Sequence, residues 1–134
     1  MKKTYHGSCH CGAVKFEADL DLSAGTGKCN CSICMKTRNW SVMIKQEAFR
    51  LITGWENLSD YQFGSNSAHH LFCKTCGVRT FGFGDVPEVG GVFYSVRVAC
   101  LDDAEPRELL EAPVRYFDGL NNQWERTPAE TRHL

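Results

Sequence analysis

The sequence predicts an all-β fold, mainly β-strand with little helix. Short segments rich in β-branched and aromatic residues recur along the chain, and glycine-containing turns separate them at fairly regular intervals. A helical repeat of apolar residues is scarce. Seven of the eight cysteines form three tight clusters, each at the end of a strand-like segment or in a loop. These observations predict a β-protein whose loops carry metal-binding cysteines.

The strand predictions follow from alternation and from the turns around each segment. In residues 13–18, Val14, Phe16 and Ala18 fall on one face, which is typical of a half-buried strand. Further strands are predicted over residues 42–44, 49–53, 58–63, 70–72, 80–84 and 92–98. Residues 106–110 begin with a proline and predict one short helical turn. From Pro113 the chain is predicted to be an irregular tail, docked back onto the domain by Trp124.

Length and composition indicate one globular domain over residues 1–134. Hydrophobic residues make up 43% of the chain and include eight phenylalanines, enough for a core that does not depend on metal alone. The net charge is −1, and the basic residues are scattered, which argues against a nucleic-acid partner. The apolar runs are too short for a membrane span, and residues 1–7 lack the apolar segment of a secretory signal. We therefore expect a cytoplasmic protein with neither nucleic acid nor membrane as a partner.

The cysteine spacing favours metal binding. The clustered cysteines are Cys9 and Cys11, then Cys29, Cys31 and Cys34, then Cys73 and Cys76. Seven thiolates divide into four, which close a structural zinc site, and three, which leave a coordination position for water or substrate. If the local group of three stays intact, the first and third clusters pair across the chain. This division predicts two zinc ions per chain and indicates an enzyme.

Two alternatives to zinc remain open at this stage. Eight is an even number, so a disulfide framework is possible, but thiols in a cytoplasmic protein stay reduced, and a disulfide within a Cys-x-Cys pair would close a strained ring. The spacing alone does not separate zinc from iron held by thiolates. Zinc is favoured because it suits both closed four-sulfur and open three-sulfur sites.

Five stretches resemble one family over nearly the whole chain. They are residues 7–17, 29–34, 72–77, 96–103 and 114–119. In these stretches the sequence resembles the glutathione-dependent formaldehyde-activating enzymes, a family that also includes centromere protein V. The resemblance implies a β-rich, zinc-containing Mss4-like fold, also called a β-tent. It also implies a carbon–sulfur lyase that reversibly adds glutathione to formaldehyde.

The same resemblance implies how the cysteines are divided between two zinc ions. The structural zinc would be held by the residues that match the first and third motifs, Cys9, Cys11, Cys73 and Cys76. The catalytic zinc would be held by the residues that match the middle motif, Cys29, Cys31 and Cys34. The implied partners are a small-molecule thiol and an aldehyde.

Residues outside the cysteine motifs suggest further roles. A thiol that binds an open three-thiolate zinc loses its proton and becomes a nucleophile for an aldehyde carbon. Lys36 and Arg38 could hold a substrate carboxylate, and the pair His69 and His70 could supply a general base. The alternative is a non-catalytic, zinc-stabilised binding module, in which a side chain such as Cys100 completes the middle site.

Overall fold

The fold consists of two β-sheets and two short helices. The computed structural model describes residues 1–134. Its strands are β1 Lys3–Ser8, β2 Lys15–Leu20, β3 Thr26–Cys29, β4 Ser41–Ile44, β5 Phe49–Thr53, β6 Leu58–Tyr61, β7 Ala68–Cys73, β8 Phe81–Val86, β9 Gly91–Arg97 and β10 Val114–Phe117. The helices are α1 Ser32–Thr37 and α2 Pro106–Glu111. The prediction of a mainly β fold with little helix is confirmed.

The sheets differ in size and in strand direction. The small sheet has the order β1-β2-β5 and is antiparallel. The large sheet has seven strands in the order β10-β3-β4-β9-β8-β7-β6. Its pairs are antiparallel except at one edge, where β10 runs parallel to β3. That parallel pair brings the C-terminal part of the chain beside the middle cysteine cluster.

The main core lies between the two sheets. Phe16 and Ala18 of β2 are fully buried, and they share a core cluster with Val96 of β9. Phe49 of β5 stacks on Tyr94 at a centroid distance of 4.7 Å and meets Phe81 at 4.5 Å. Aromatic pairs at this separation add to the free energy gained from apolar burial.

A second core cluster contains two of the cysteines. Cys9 and Cys73 are buried together with Val14, Leu71 and Phe81. Cys9 follows β1, and Cys73 is the last residue of β7, so this cluster joins the small sheet to one half of the large sheet. The first and third cysteine motifs are therefore anchored in packed structure.

The outer face of the large sheet carries polar residues. Arg97 of β9 lies opposite Ser41 of β4, and Ser41 lies opposite Gly27 of β3. Since opposite residues of a strand pair share a face, and so do residues two apart along a strand, Cys29 lies on the same face as Arg97. His70 of β7, opposite Gly82 of β8, also lies on this outer face.

Most predicted strands are found with shifted ends, but several elements were missed. The segments 42–44, 49–53, 58–63, 70–72, 80–84 and 92–98 all lie within or overlap observed strands. The first predicted strand is displaced, since β2 begins at Lys15 and ends at Leu20. Strands β1, β3 and β10 and helix α1 were not predicted. Cys34 lies in α1, so the expectation that every clustered cysteine lies at a strand end or in a loop is wrong for that residue.

The helices are too short for a membrane span. Neither α1 nor α2 exceeds six residues, and no helix is both long and apolar enough to cross a bilayer.

Candidate metal centres

The first and third cysteine motifs meet in one group of four sulfurs. The Sγ atoms of Cys9, Cys11, Cys73 and Cys76 all lie within 4.8 Å of one another. Cys11 Sγ lies 3.6 Å from Cys9 Sγ and 3.7 Å from Cys73 Sγ. A tetrahedral zinc with Zn–S bonds of about 2.3 Å requires S···S edges of about 3.8 Å. The group therefore has the size that a tetrahedral ion needs.

Two tight turns present the sulfurs of this group. Gly12 and Gly77 follow the second cysteine of each motif, and both have positive φ, +83° and +76°. The turn after β7 is closed by the backbone of Cys73, which accepts from Gly77 N–H at 2.8 Å and donates to Val78 O at 3.0 Å. Positive φ favours glycine, so these positions fix the shape of both turns.

Hydrogen-bond donors surround the four sulfurs. Val14 N–H donates to Cys9 Sγ at 3.3 Å, and Asn57 Nδ2 donates to Cys73 Sγ at 3.1 Å. The backbone N–H of Cys76 lowers the pKa of Cys73 to about 6. Donors of this kind favour thiolate over thiol, and only thiolate binds a metal ion strongly.

The middle motif forms the second group. The Sγ atoms of Cys29, Cys31 and Cys34 also lie within 4.8 Å of one another. Cys29 is the last residue of β3, Cys31 is the N-cap of α1, and Cys34 lies in the first turn of that helix. The strand-to-helix junction thus brings three cysteines from six residues of sequence to one point.

The turn that ends α1 supplies a further contact. Arg38 adopts the left-handed conformation, with φ 54°, and Asn39 N–H donates to Cys34 O at 2.9 Å. The side chain of Asn39 is thereby turned toward the cluster, and its Nδ2 donates to Cys34 Sγ at 3.4 Å. Each sulfur group therefore has an asparagine amide as a donor.

The C-terminal segment clamps the cysteine loop. Asn30 accepts from Leu120 N–H at 2.9 Å and donates to the buried Asp118 at 2.9 Å. A Cβ added to Gly119 would lie 2.6 Å from Cys29 Sγ and 2.6 Å from Trp124 Cη2. The segment contains β10, so the prediction of an irregular tail is wrong. The half-exposed Trp124 lies beside Gly119 of the same segment, and its docking of the tail onto the domain stays a prediction.

No fourth protein ligand joins the middle group. Among all histidine, cysteine and carboxylate side chains, only these three cysteines converge there. Cys100, which a binding module would use to complete the site, belongs to neither group, and its Sγ contacts Arg79 O at 3.5 Å. All eight cysteines are free thiols, so the disulfide framework is not found.

The three thiols of the middle group change one another's pKa. Hydrogen bonds from the thiols of Cys29 and Cys34, together with the N–H groups of Cys34 and Ile33, lower the pKa of Cys31. Its neighbours raise the pKa of Cys29. A bound ion would displace the protons of these thiols.

Three of the basic residues that were predicted to act at the middle cluster lie away from its sulfurs. Lys36 is exposed, and the exposed Arg38 donates to His133 O at 2.6 Å, at the C-terminal end of the chain. His69 lies 2.6 Å from Asp60 and stacks on Phe83, on the core side of the large sheet. None of these three side chains contacts a sulfur of the middle cluster.

Other basic residues lie on the cluster's side of the sheet. His70 lies on the outer face, where its Nδ1 accepts from Arg79 Nη2 at 3.1 Å. Arg97 is buried on the same face. A signal was present in the sequence, because Arg97 interrupts the apolar run of β9 between Val96 and Val98.

A cleft borders the loop that carries Cys29, Cys31 and Cys34. Its volume is about 390 Å³, and its walls come from α1 and from the C-terminal segment. Its lining includes Asn30, Ser32, Met35, Leu120 and Glu130. It provides space for a small molecule next to the middle cluster.

The fold and the two sulfur groups define a class: a mainly β protein in which each group can hold a metal ion. The family model described as "Glutathione-dependent formaldehyde-activating enzyme" matches residues 4–117. The chain therefore belongs to this family, and the predicted resemblance is confirmed.

Two known proteins illustrate the relationship. A protein of Halomonas elongata named "Putative glutathione-dependent formaldehyde-activating enzyme" is 35% identical over 85 residues. That match covers 58% of this chain and 54% of the relative, so the chain spans about half the length of the curated relative. A crystal structure of a Rhodobacter sphaeroides protein is similar with a TM-score of 0.69 and 37% identity, over 82% of this chain and 99% of that one.

Proposed function

We propose that the protein is a zinc-dependent enzyme of the carbon–sulfur lyase type. It would add a small thiol, such as glutathione, to an aldehyde, such as formaldehyde, and would also catalyse the reverse reaction. The observation that carries this proposal is the convergence of Cys29, Cys31 and Cys34 without a fourth protein ligand. The family description, which names both glutathione and formaldehyde, supports the choice of substrates.

Zinc is the ion that the donor atoms favour at both groups. All seven ligands are thiolates, and such soft ligands suit zinc better than hard cations. We assign a structural zinc to Cys9, Cys11, Cys73 and Cys76 and a catalytic zinc to Cys29, Cys31 and Cys34. A substrate thiol that reaches the catalytic zinc would have its pKa lowered, so that it becomes a nucleophile near neutral pH.

The reaction is balanced without a redox partner. The thiol loses its proton, its sulfur forms a bond to the carbonyl carbon, and the π-electron pair of the carbonyl moves to oxygen. The oxygen then takes up a proton to give an S-hydroxymethyl product. In reverse, the hydroxyl loses its proton and the C–S bond breaks. The protein would bring the two reactants together and favour the thiolate.

Exchange spectroscopy with ¹³C-labelled formaldehyde tests this function. The rate of exchange between formaldehyde and its thiol adduct is measured with glutathione and with cysteine, against a buffer blank, because the uncatalysed addition is already rapid. The protein should accelerate exchange, Cys34→Ser should abolish the acceleration, and Cys100→Ser should retain it. If no thiol is accelerated and none perturbs the metal in the middle group, the protein is a zinc-stabilised binding module.

A further inference from the structure

Two arginine side chains next to the middle cluster have no acidic partner. The arginines that form ion pairs are Arg50, Arg107 and Arg132, whereas Arg79 and Arg97 contact no carboxylate. Arg97 is only 9% exposed. Its Nε and the Nη1 of Arg79 are buried without any hydrogen-bond partner. Buried N–H groups are normally satisfied, and charged ones especially so, which marks both positions as places where a ligand is expected.

Burial lowers the pKa of both guanidinium groups. Desolvation lowers the pKa of Arg79, and desolvation together with the charge of Arg79 lowers the pKa of Arg97 to about 10. An arginine guanidinium keeps its proton at neutral pH, so both side chains are treated as positively charged. Negative charge on Cys34 opposes the lowering at both arginines, and Cys31 adds to this effect at Arg79. The two positive charges thus lie within electrostatic range of the three-sulfur group.

The fold holds both side chains beside the cluster. Arg97 shares the outer face of the large sheet with Cys29, and its N–H donates to Thr80 O at 3.0 Å. Arg79 precedes Thr80, and one of its terminal nitrogens is fixed by His70 at 3.1 Å. Thr80 Oγ1 is a third buried atom without a partner. Arg79 and Thr80 lie just before β8 and Arg97 ends β9, so the three polar groups come from backbone segments that are joined by a hydrogen bond.

The charges of this region do not balance without a further anion. If the middle group holds Zn²⁺, its three thiolates and the ion would sum to −1, whereas Arg79 and Arg97 sum to +2. The difference leaves one positive charge in a place where water has limited access. An anion that offers oxygen lone pairs would both neutralise this charge and satisfy the free N–H groups.

We propose that Arg79 and Arg97 form a subsite that receives an anionic oxygen of the substrate beside the Cys29, Cys31 and Cys34 site. The identity of that substrate rests on the proposed function. Two sources have this chemistry: a carboxylate of the thiol, or the alkoxide that forms when the thiolate adds to the carbonyl carbon. In the second case the negative charge moves from sulfur to oxygen during the addition, and the guanidinium N–H groups stabilise it before the oxygen is protonated.

Two thiols, one with a carboxylate and one without, distinguish the two sources of the anionic oxygen. The affinities of 3-mercaptopropionate and of the neutral 2-mercaptoethanol are measured on protein loaded with Co²⁺, whose visible bands report the coordination of the middle group. Formaldehyde exchange is measured on the zinc form. Arg79→Gln and Arg97→Gln are compared with Arg38→Gln, which removes an exposed arginine bonded to a backbone carbonyl. Each variant must first show the metal content of the unaltered protein.

The expected results depend on whether the subsite binds a carboxylate of the thiol or the alkoxide. A carboxylate source requires 3-mercaptopropionate to bind at least about tenfold more tightly than 2-mercaptoethanol, with the difference lost in the Arg79 and Arg97 variants. An alkoxide source requires equal thiol affinities and a loss of at least about tenfold in exchange rate in those two variants. If neither quantity differs from that of Arg38→Gln, the subsite is refuted, while exchange by the unaltered protein would leave the proposed function intact.

A thiol-free measurement keeps the subsite testable on its own. Acetate is titrated into ¹⁵N-labelled, zinc-loaded protein while the side-chain Nε–H signals of arginine are followed. The Arg97 signal should shift with saturation, and the Arg38 signal should not. If Arg97→Gln does not fold, Arg97→Lys retains the charge, and in this variant the acetate response of the Arg79 signal should be weaker than in the unaltered protein. An Arg97 signal that does not move with acetate overturns the subsite, even if thiol exchange is observed.

Discussion

Asn57 donates its side-chain amide to the sulfur of Cys73 at 3.1 Å, from the turn between β5 and β6. The same amide contacts Thr75 Oγ1 at 3.2 Å. Asn39 has the equivalent relationship with Cys34 at the other sulfur group. Both groups therefore use an amide N–H to favour thiolate, and at Cys73 this contact links a metal ligand to a turn 16 residues earlier in the chain.

Replacing Asn57 by aspartate should weaken metal binding at the four-sulfur group. The variant keeps the shape of the side chain but loses the N–H donor and places a negative charge beside Cys73. Changes of this kind around a metal site lower affinity by roughly 10–100-fold. Competition with a chromophoric zinc chelator would measure the loss. Thr75→Val is the matched control, since it removes the other contact of the amide but leaves the N–H···S bond, so equal effects of the two changes would contradict this role.

The two sulfur groups should differ in their contribution to stability. Cys11→Ser removes a ligand from the group that joins the two sheets, and structural zinc binding is coupled to folding, so we expect a large fall in melting temperature. Cys34→Ser should remove one metal ion while the fold persists. Calorimetry combined with elemental analysis reports both quantities.

Cys100→Ser is the control for this comparison, because Cys100 is in neither group, and it should retain two zinc ions per chain. Equal destabilisation by the Cys11 and Cys34 changes would mean that both sites are structural.

Strands in which apolar and polar residues alternate clearly were predicted from the sequence. Val14, Phe16 and Ala18 alternate and are all fully buried. By contrast, β3 contains Gly27 and Lys28 without alternation, and β10 lies in a segment that resembles a tail. These two strands exist because each pairs with the other in a parallel register, a tertiary contact that no local pattern encodes.

The sequence predicted which cysteines form each sulfur group but not which other residues lie beside them. Spacing and the family resemblance grouped the cysteines as the structure brings them together. Their roles as zinc ligands stay predictions, as does a single domain over residues 1–134. Asn39 was not identified, because its contact with Cys34 depends on the left-handed turn at Arg38 that ends α1. Arg79 and Arg97 were not identified, since they become neighbours of the cluster only when β4, β8 and β9 pair. Contacts across a sheet depend on register, which the sequence of one strand does not determine.

Gly119→Ala should selectively disturb the middle group. A Cβ at this position would overlap Cys29 Sγ and the ring of Trp124, each at 2.6 Å, so the C-terminal clamp must shift. We expect loss of metal from the three-sulfur group, with an overall destabilisation of about 1–3 kcal/mol, typical of overpacking. Gly64→Ala is a control for destabilisation alone: nothing lies within 4 Å of its Cβ position, but its φ of +61° strains a side chain, so it should destabilise the fold without loss of metal. If the middle group keeps its metal in Gly119→Ala, the C-terminal segment does not position Cys29.

The pair of His6 and Asp103 should make stability depend on pH near neutrality. His6 Nδ1 lies 2.8 Å from Asp103, and this contact raises the pKa of His6 above its ordinary value of 6.5. A raised folded-state pKa means that protonated His6 stabilises the fold; the contribution is complete below pH 6.5 and is lost as the pH rises through the folded-state pKa. The difference in melting temperature between the unaltered protein and His6→Gln should therefore shrink as the pH is raised from about 6 to about 8.5. Zinc should be saturating throughout, so that cysteine titration does not contribute. Asp103→Asn should remove most of the same dependence, whereas a difference that grows with pH would contradict the assignment.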